Sequence, residues 1–183
     1  MKSFKKILAT VLCVIMVFAS APLSGLIGLE LHEFNLFTPK ASAATYSGTC
    51  GDNLTWNLDT STGELIISGS GDMKNWSSYS SPWNSYRSDI KTVKISNSVT
   101  SIGDYAFYKC TGPTIIVIPD SVTSIGNSAF EGCTGLTRIT IFDSVISIGN
   151  SAFYGCTGLT SITIPDSVIS IGNSAFYGCT GLT

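Results

Sequence analysis

A single string of 23 residues, IFDSVISIGNSAFYGCTGLTSIT from Ile141 to Thr163, constrains the fold of this chain more than anything else in it. The preceding string, Ile118 to Thr140, repeats it at 19 of 23 positions, and the string from Ile164 onward repeats it at 19 of 20. A more degenerate copy starts at Ile95. The landmarks keep step at intervals of 23: Cys110, Cys133, Cys156 and Cys179; Phe107, Phe130, Phe153 and Phe176; Ile102, Ile125, Ile148 and Ile171. A fixed period of that length means stacked coils that share one continuous core, because each unit alone buries too little apolar surface to stand.

Within a period, Leu159, Ile162 and Ile164 form an LxxIxI pattern whose last part alternates, as a short strand with one buried face does. Pro165, Asp166 and Ser167 turn the chain, since proline has no N–H for a continuing ladder. Val168 and Ile171 then point inward. Asn173 is placed to cap a short helix over SAFYGC, and Gly178 to end it. The expected coil is one strand, one turn and one short helix.

The I-P, V-x-S-I-G, A-F and C-T-x-L landmarks of IPDSVTSIGNSAFEGCTGLTRIT closely resemble the BspA-like leucine-rich repeat of bacterial surface proteins. The resemblance is strong from Ile95 to Thr183 and looser from Thr45 to Lys94. It implies an α/β solenoid with short parallel strands on one face and short helices or turns on the other, preceded by a small β-rich cap. It also implies a secreted or cell-surface module that binds extracellular protein, cell-surface or matrix ligands in adhesion. Repeat solenoids serve many partners on one scaffold, so the pattern specifies the fold more sharply than the ligand.

Three regions are expected. Residues 1–43 read as an export signal, with Lys2, Lys5 and Lys6 at the start, an apolar run from Ile7 to Phe18 and small residues at Ala41, Ser42 and Ala43. The competing reading is an uncleaved anchor, the only contact with a membrane that the sequence offers. Residues 44–92 form a β-rich N-terminal cap, and residues 93–183 the repeats, with the last one cut short at Thr183, as in a fragment of a longer protein. Beyond the leader, six Lys or Arg face ten Asp or Glu, a net charge of about −4 with no basic patch for nucleic acid.

In the cap region, Leu54, Trp56 and Leu58 alternate, Asp59 to Gly63 supply turn residues, and Leu65 and Ile67 alternate again, which predicts a hairpin. Trp76, Tyr79, Pro82, Trp83 and Tyr86 follow as a group of large rings suited to covering the open end of the first coil. The alternative is a sugar-stacking site on exposed Trp76 and Trp83.

If Ile116, Ile118, Ile139, Ile141, Ile162 and Ile164 face inward, their neighbours face out in columns: Thr92, Ile115, Arg138, Ser161; Lys94, Val117, Thr140, Thr163; Ser96, Pro119, Phe142, Pro165. This sheet face is the candidate partner surface, carried by Lys94, Ile115, Val117, Arg138, Thr140, Phe142, Ser161 and Thr163. Ile115, Val117, Arg138 and Phe142 give an otherwise bland Ser/Thr surface apolar and cationic character. The alternative is incidental variation between repeats.

Other columns are weaker signals. The cysteines are in register for pairing or a soft metal, yet the A-F-x-x-C pattern places them as buried thiols. Asp120, Asp143 and Asp166 form a carboxylate column that calcium favours in principle, although Asp after Pro is ordinary turn chemistry. No metal or cofactor is expected. The single histidine, His32, lies in the leader, so the remaining chain has no Ser/His or Cys/His nucleophile pair, and no phosphate or dinucleotide loop is present. Asp52, Asp59, Glu64 and Asp72 fall in turns or on an exposed strand rather than as a glycosidase pair in a cleft. The expectation is a non-enzyme: an adhesion or protein-binding module, or else a non-catalytic targeting or spacer region of a larger extracellular enzyme.

Overall fold

In a computed structural model, residues 44–183 are described. The leader expected over residues 1–43 lies outside the described residues. The predicted hairpin is present: β2 (Leu54–Asp59) pairs antiparallel with β3 (Glu64–Gly69), and β1 (Thr45–Thr49) flanks β2 on its other edge. Asp59 shapes the turn, its carboxylate accepting from the Ser61 N–H at 2.8 Å and the Ser61 hydroxyl at 2.6 Å. Gly63 closes it with a φ of +74°, a conformation open to glycine at little cost. Leu54, Leu58, Leu65 and Ile67 are buried on one face.

The chain then reaches β4 (Gly71–Asp72), a 3-10 turn (Asn84–Tyr86), β5 (Thr92–Ile95) and β6 (Val99–Ile102), and continues through β7 (Ile115–Val117), β8 (Ser124–Ile125), β9 (Arg138–Thr140), β10 (Ser147–Ile148) and β11 (Ser170–Ile171). Each coil contributes to two parallel ladders. In the first, β5 pairs parallel with β3 and lies beside β7, β7 pairs with β9, and Arg138 bridges to Ser161. In the second, β4, β6, β8, β10 and β11 run parallel in that order.

The expected short helix is absent, and the backbone shows why. Across Gly126 to Cys133 alternate amides leave the segment: the Ser128, Phe130 and Gly132 N–H groups donate to carbonyls of Asn150, Ala152 and Tyr154 in the next coil at 2.7 to 2.8 Å. Ser128 and Gly132 have φ of 50° and 70°, and residues in the left-handed region cannot propagate a right-handed helix. The segment is a chain of turns that forms its own ladder between coils. Gly132, Gly155 and Gly178 are left-handed residues inside that pattern, not helix stops. Among the described residues no helix is long and apolar enough to cross a membrane.

The core is a stack. Phe107, Phe130 and Phe153 are fully buried, and successive rings from Phe107 to Phe176 lie 5.2 to 5.3 Å apart and within 8° of parallel. Ile116 and Ile139 are buried on the first ladder, Ile102, Ile125 and Ile148 on the second. Ile162 and Ile164 are half-buried against the same core.

At the start of the stack, Trp83 is fully buried, its indole 5.7 Å from the Phe107 ring and 26° from parallel, with Nε1 donating to the Ala106 carbonyl at 2.8 Å. Trp76 packs edge-on against Trp83 at 5.4 Å and is half-buried. The alternative of an exposed Trp76–Trp83 sugar platform is therefore excluded by burial. Gly103 fits beneath this region so closely that a Cβ there would sit 1.8 Å from the Lys74 carbonyl oxygen. Because that obstacle is backbone, Gly103→Ala is expected to cost at least about 3 kcal/mol, the upper part of the overpacking range. Chemical denaturation checks this, with Gly71→Ala, where the added Cβ meets nothing within 4 Å, as a comparison for backbone strain alone.

Candidate partner-binding face and family

Strand register decides which side chains share the candidate face. Ile115 is opposite Arg138, Val117 opposite Thr140, and Arg138 bridges to Ser161, so the expected columns are real. Ile115, Val117 and Phe142 are 54%, 51% and 41% exposed, well above what core side chains of this size show. Lys94, Arg138, Ser161 and Thr163 are exposed and Thr140 half-buried.

The third column departs from expectation. Pro119 and Pro165 are buried and Ser96 half-buried, leaving only Phe142 exposed. The prolines begin turns in which Val122 and Val168 donate back to their carbonyls at 3.1 Å, and the compact ring tucks into the bend. Phe142 makes the same turn, with Val145 donating to its carbonyl at 3.1 Å, but its larger ring stands out of the notch.

The candidate residues divide between two hollows. Lys94, Val117 and Phe142 line one of about 390 Å³, floored by Ile95 and Pro119 and edged by Asp120. Arg138, Thr140, Ser161 and Thr163 line another of about 260 Å³ over Ile139 and Ile162. Ile115 belongs to neither lining and stands beside Arg138. Lys94, largely exposed, also pairs with Glu64 across the strands.

A larger groove, about 700 Å³, runs along the second ladder and was not expected from the sequence. Its lining repeats the S-I-G-N segment, and its backbone is tied by an amide ladder. The Asn75 side chain accepts from the Asp104 N–H at 2.9 Å, Asp104 from the Asn127 N–H at 2.6 Å, Asn127 from the Asn150 N–H at 2.9 Å, and Asn150 from the Asn173 N–H at 2.7 Å. The asparagines expected to cap helices instead bond coil to coil, as stacked amides do in repetitive β-structures. The signal that reveals this is the 23-residue Asn column itself.

The remaining chemistry-bearing groups serve the fold. Asp72 accepts from the Thr100 hydroxyl at 2.6 Å, which with the Ser101 hydroxyl lowers its carboxyl pKa. Cys110, Cys133, Cys156 and Cys179 are buried and unpaired, as the A-F-x-x-C pattern predicts. Burial pushes Cys110 and Cys156 up to about 12 and Cys133 well above its ordinary value. The Cys133, Cys156 and Cys179 thiols each donate to a phenylalanine carbonyl 26 residues earlier at 3.1 Å. Asp120, Asp143 and Asp166 are exposed at turns, and among the described residues no group of three or more His, Cys, Asp or Glu is placed to hold a metal.

Comparisons place this architecture. Among curated proteins none matches the chain significantly. Among solved structures, a leucine-rich repeat protein from Eubacterium ventriosum superposes with a TM-score of 0.62 at 26% identity, over 76% of this chain and 43% of that one. One from Bacteroides ovatus gives 0.52 at 31% identity over 72% and 39%. The leucine-rich repeat protein of T. pallidum gives 0.56 at 24% over 74% and 69%, a likeness of fold. The chain thus spans less than half the length of the first two. The profile described as BspA type Leucine rich repeat region matches residues 84–183 in 6 copies. With its period, its stacked phenylalanines and this match over more than half its length, the chain belongs to the bacterial BspA-type leucine-rich repeat family.

Proposed function

We propose that this chain is an exported, surface-displayed adhesion module that docks an extracellular protein on the face formed by β5, β7 and β9. The observation that carries the reading is the hollow of Lys94, Val117 and Phe142, where two exposed large apolar side chains share one lining with a cation, whereas the exposed Ile146, Ile169 and Ile171 lie outside it. Exposed apolar anchors with a polar rim are what protein interfaces use, and leucine-rich repeats present such surfaces on a rigid frame. The partner chemistry that fits is a protein segment offering an apolar side chain to the hollow and a carboxylate to Lys94. The apolar leader of residues 1–43 supports export.

Bacteria displaying the full chain are expected to bind at least one of a panel of immobilised extracellular matrix proteins. Val117→Ser with Phe142→Ser should weaken that binding by at least about tenfold, the loss expected from removing two interface anchors. Arg138→Ser, in the second hollow, should have the smaller effect. Unaltered binding by the double variant removes this face from the proposal.

A second reading makes the repeats a non-catalytic targeting or spacer region of a larger extracellular enzyme, in keeping with a chain that covers 43% of the Eubacterium ventriosum protein. Attachment of a fused reporter enzyme to cells, through the same residues, is its signature.

A further inference from the structure

Lys109, Gly132, Gly155 and Gly178 occupy one column of the repeat, and all four are left-handed, with φ of 54°, 70°, 67° and 74°. Three coils use glycine there, which has no Cβ to crowd the backbone. The first uses lysine, which does. Tyr79, at φ of 62°, is left-handed too, and Tyr105, at 54°, shares the conformation of Ser128, Ser151 and Ser174 in its own column. Lys109 and Tyr79, both carrying side chains in a conformation that glycine holds at less cost, meet at one spot of the surface.

The spot is a cluster of phenols and cations. Lys109 Nζ donates to the Tyr79 hydroxyl at 2.7 Å and lies 5.3 Å from the ring centres of both Tyr79 and Tyr108. The Arg87 guanidinium lies 5.4 Å from the Tyr79 ring. Tyr79 and Tyr105 each meet Tyr108 edge-on, at 4.9 and 5.5 Å. Gly132 leaves room for the lysine stem, since a Cβ there would come within 2.9 Å of Lys109 Cγ. Neither Arg87 nor Lys109 makes an ion pair with a carboxylate among the described residues, although acids outnumber bases in residues 44–183. Burial, the Tyr79 side chain and the Glu131 carboxylate together raise the Tyr108 phenol pKa.

We propose that this cluster binds an acidic glycan, specifically a sugar ring bearing a carboxylate. The carboxylate sits between Lys109 and Arg87, held by charge-assisted hydrogen bonds. The phenol hydroxyls of Tyr79, Tyr105 and Tyr108 exchange hydrogen bonds with the sugar hydroxyls, and the tyrosine ring edges cover its C–H face. The site is separate from the strand-face hollow and does not depend on it.

Calorimetric titration of the full chain with a galacturonate trisaccharide and with the matching neutral galactose trisaccharide tests this. The acidic sugar is expected to bind roughly tenfold more tightly at low salt, a ratio that two surface charge pairs supply. The preference should fade near 1 M salt, where the screening length is about 3 Å. Lys109→Gly should abolish the preference while the melting temperature stays equal or rises, because glycine suits the left-handed position. Tyr79→Phe should weaken binding of both sugars. Equal binding or no binding of the two sugars by the unaltered chain overturns the proposal. So does an undiminished preference in Lys109→Gly, and a fall in that variant's melting temperature assigns the lysine to the fold instead.

Discussion

Trp83→Ala is expected to destabilise residues 44–183 by about 3 to 5 kcal/mol, the range for emptying a buried aromatic site. The indole is fully buried between Trp56 and Trp76, which meet it edge-on, and the Phe107 ring, which stacks on it, so its removal opens a cavity that these rings fill poorly. It also leaves the Ala106 carbonyl without its 2.8 Å donor in a dry environment. Trp83→Phe separates the two contributions: it keeps most of the ring stacking and loses the hydrogen bond, so its cost should fall near the 1 to 3 kcal/mol of an unsatisfied buried acceptor. Urea denaturation followed by circular dichroism measures both. If Trp83→Ala costs under about 1 kcal/mol, then Trp83 does not seal the first coil, and the reading of residues 44–92 as a cap loses its main support.

The same residues show how far the sequence could be read. The burial of Trp83 against Phe107 was legible because large rings just before a repeat core are suited to pack on its first coil. The phenylalanine and isoleucine spines were legible because a period read by subtraction needs no propensity at all. The hairpin at Asp59 to Gly63 was legible because its turn chemistry is local. The missing helix was not: Asn, Ser, Ala and Phe in sequence satisfy local capping rules, and only the neighbouring coil, offering carbonyls at the right height, diverts every second amide away from helical pairing. The groove on the second ladder was missed for the same reason, since two-residue strands such as Ser124–Ile125 are too short to leave an alternation.

The candidate face was legible in register but not in relief. Strand alternation correctly put Ile115, Val117 and Arg138 outside, because the side-chain period in a strand is two. It failed at Pro119 and Pro165, where the strand has already become a turn and alternation no longer applies. Grouping into hollows depends on depth as well as direction. That is why Lys94 joins Phe142 from two coils away, while Arg138, nearer in sequence, does not.

Phe130→Ala is the sharper test of the shared core. Phe130 is fully buried with Phe107 5.2 Å away on one side and Phe153 5.3 Å away on the other, both nearly parallel, so one substitution removes two stacked contacts at once. The cavity costs about 3 to 5 kcal/mol, and each lost aromatic pair adds about 0.5 to 1.5 kcal/mol. In a stacked array stability is close to a sum of coil and nearest-neighbour interface terms, so a fault in the middle weakens the coupling between its two sides more than it weakens either side. Melting should therefore split: the coils beyond Phe130 lose protection first, and the part that includes Trp83 and Phe107 persists to higher temperature. Hydrogen exchange reads this directly, because the Phe153 and Gly155 amides, which donate to Ala175 and Tyr177 at 2.8 Å, should exchange much faster than the Phe107 amide. Phe130→Leu fills most of the volume and should cost less than Phe130→Ala, with one transition retained. A Phe130→Ala chain that still melts in one step, with uniform loss of protection from Phe107 to Gly155, would mean that the hydrogen-bonded ladders and not the ring stack carry the coupling between coils.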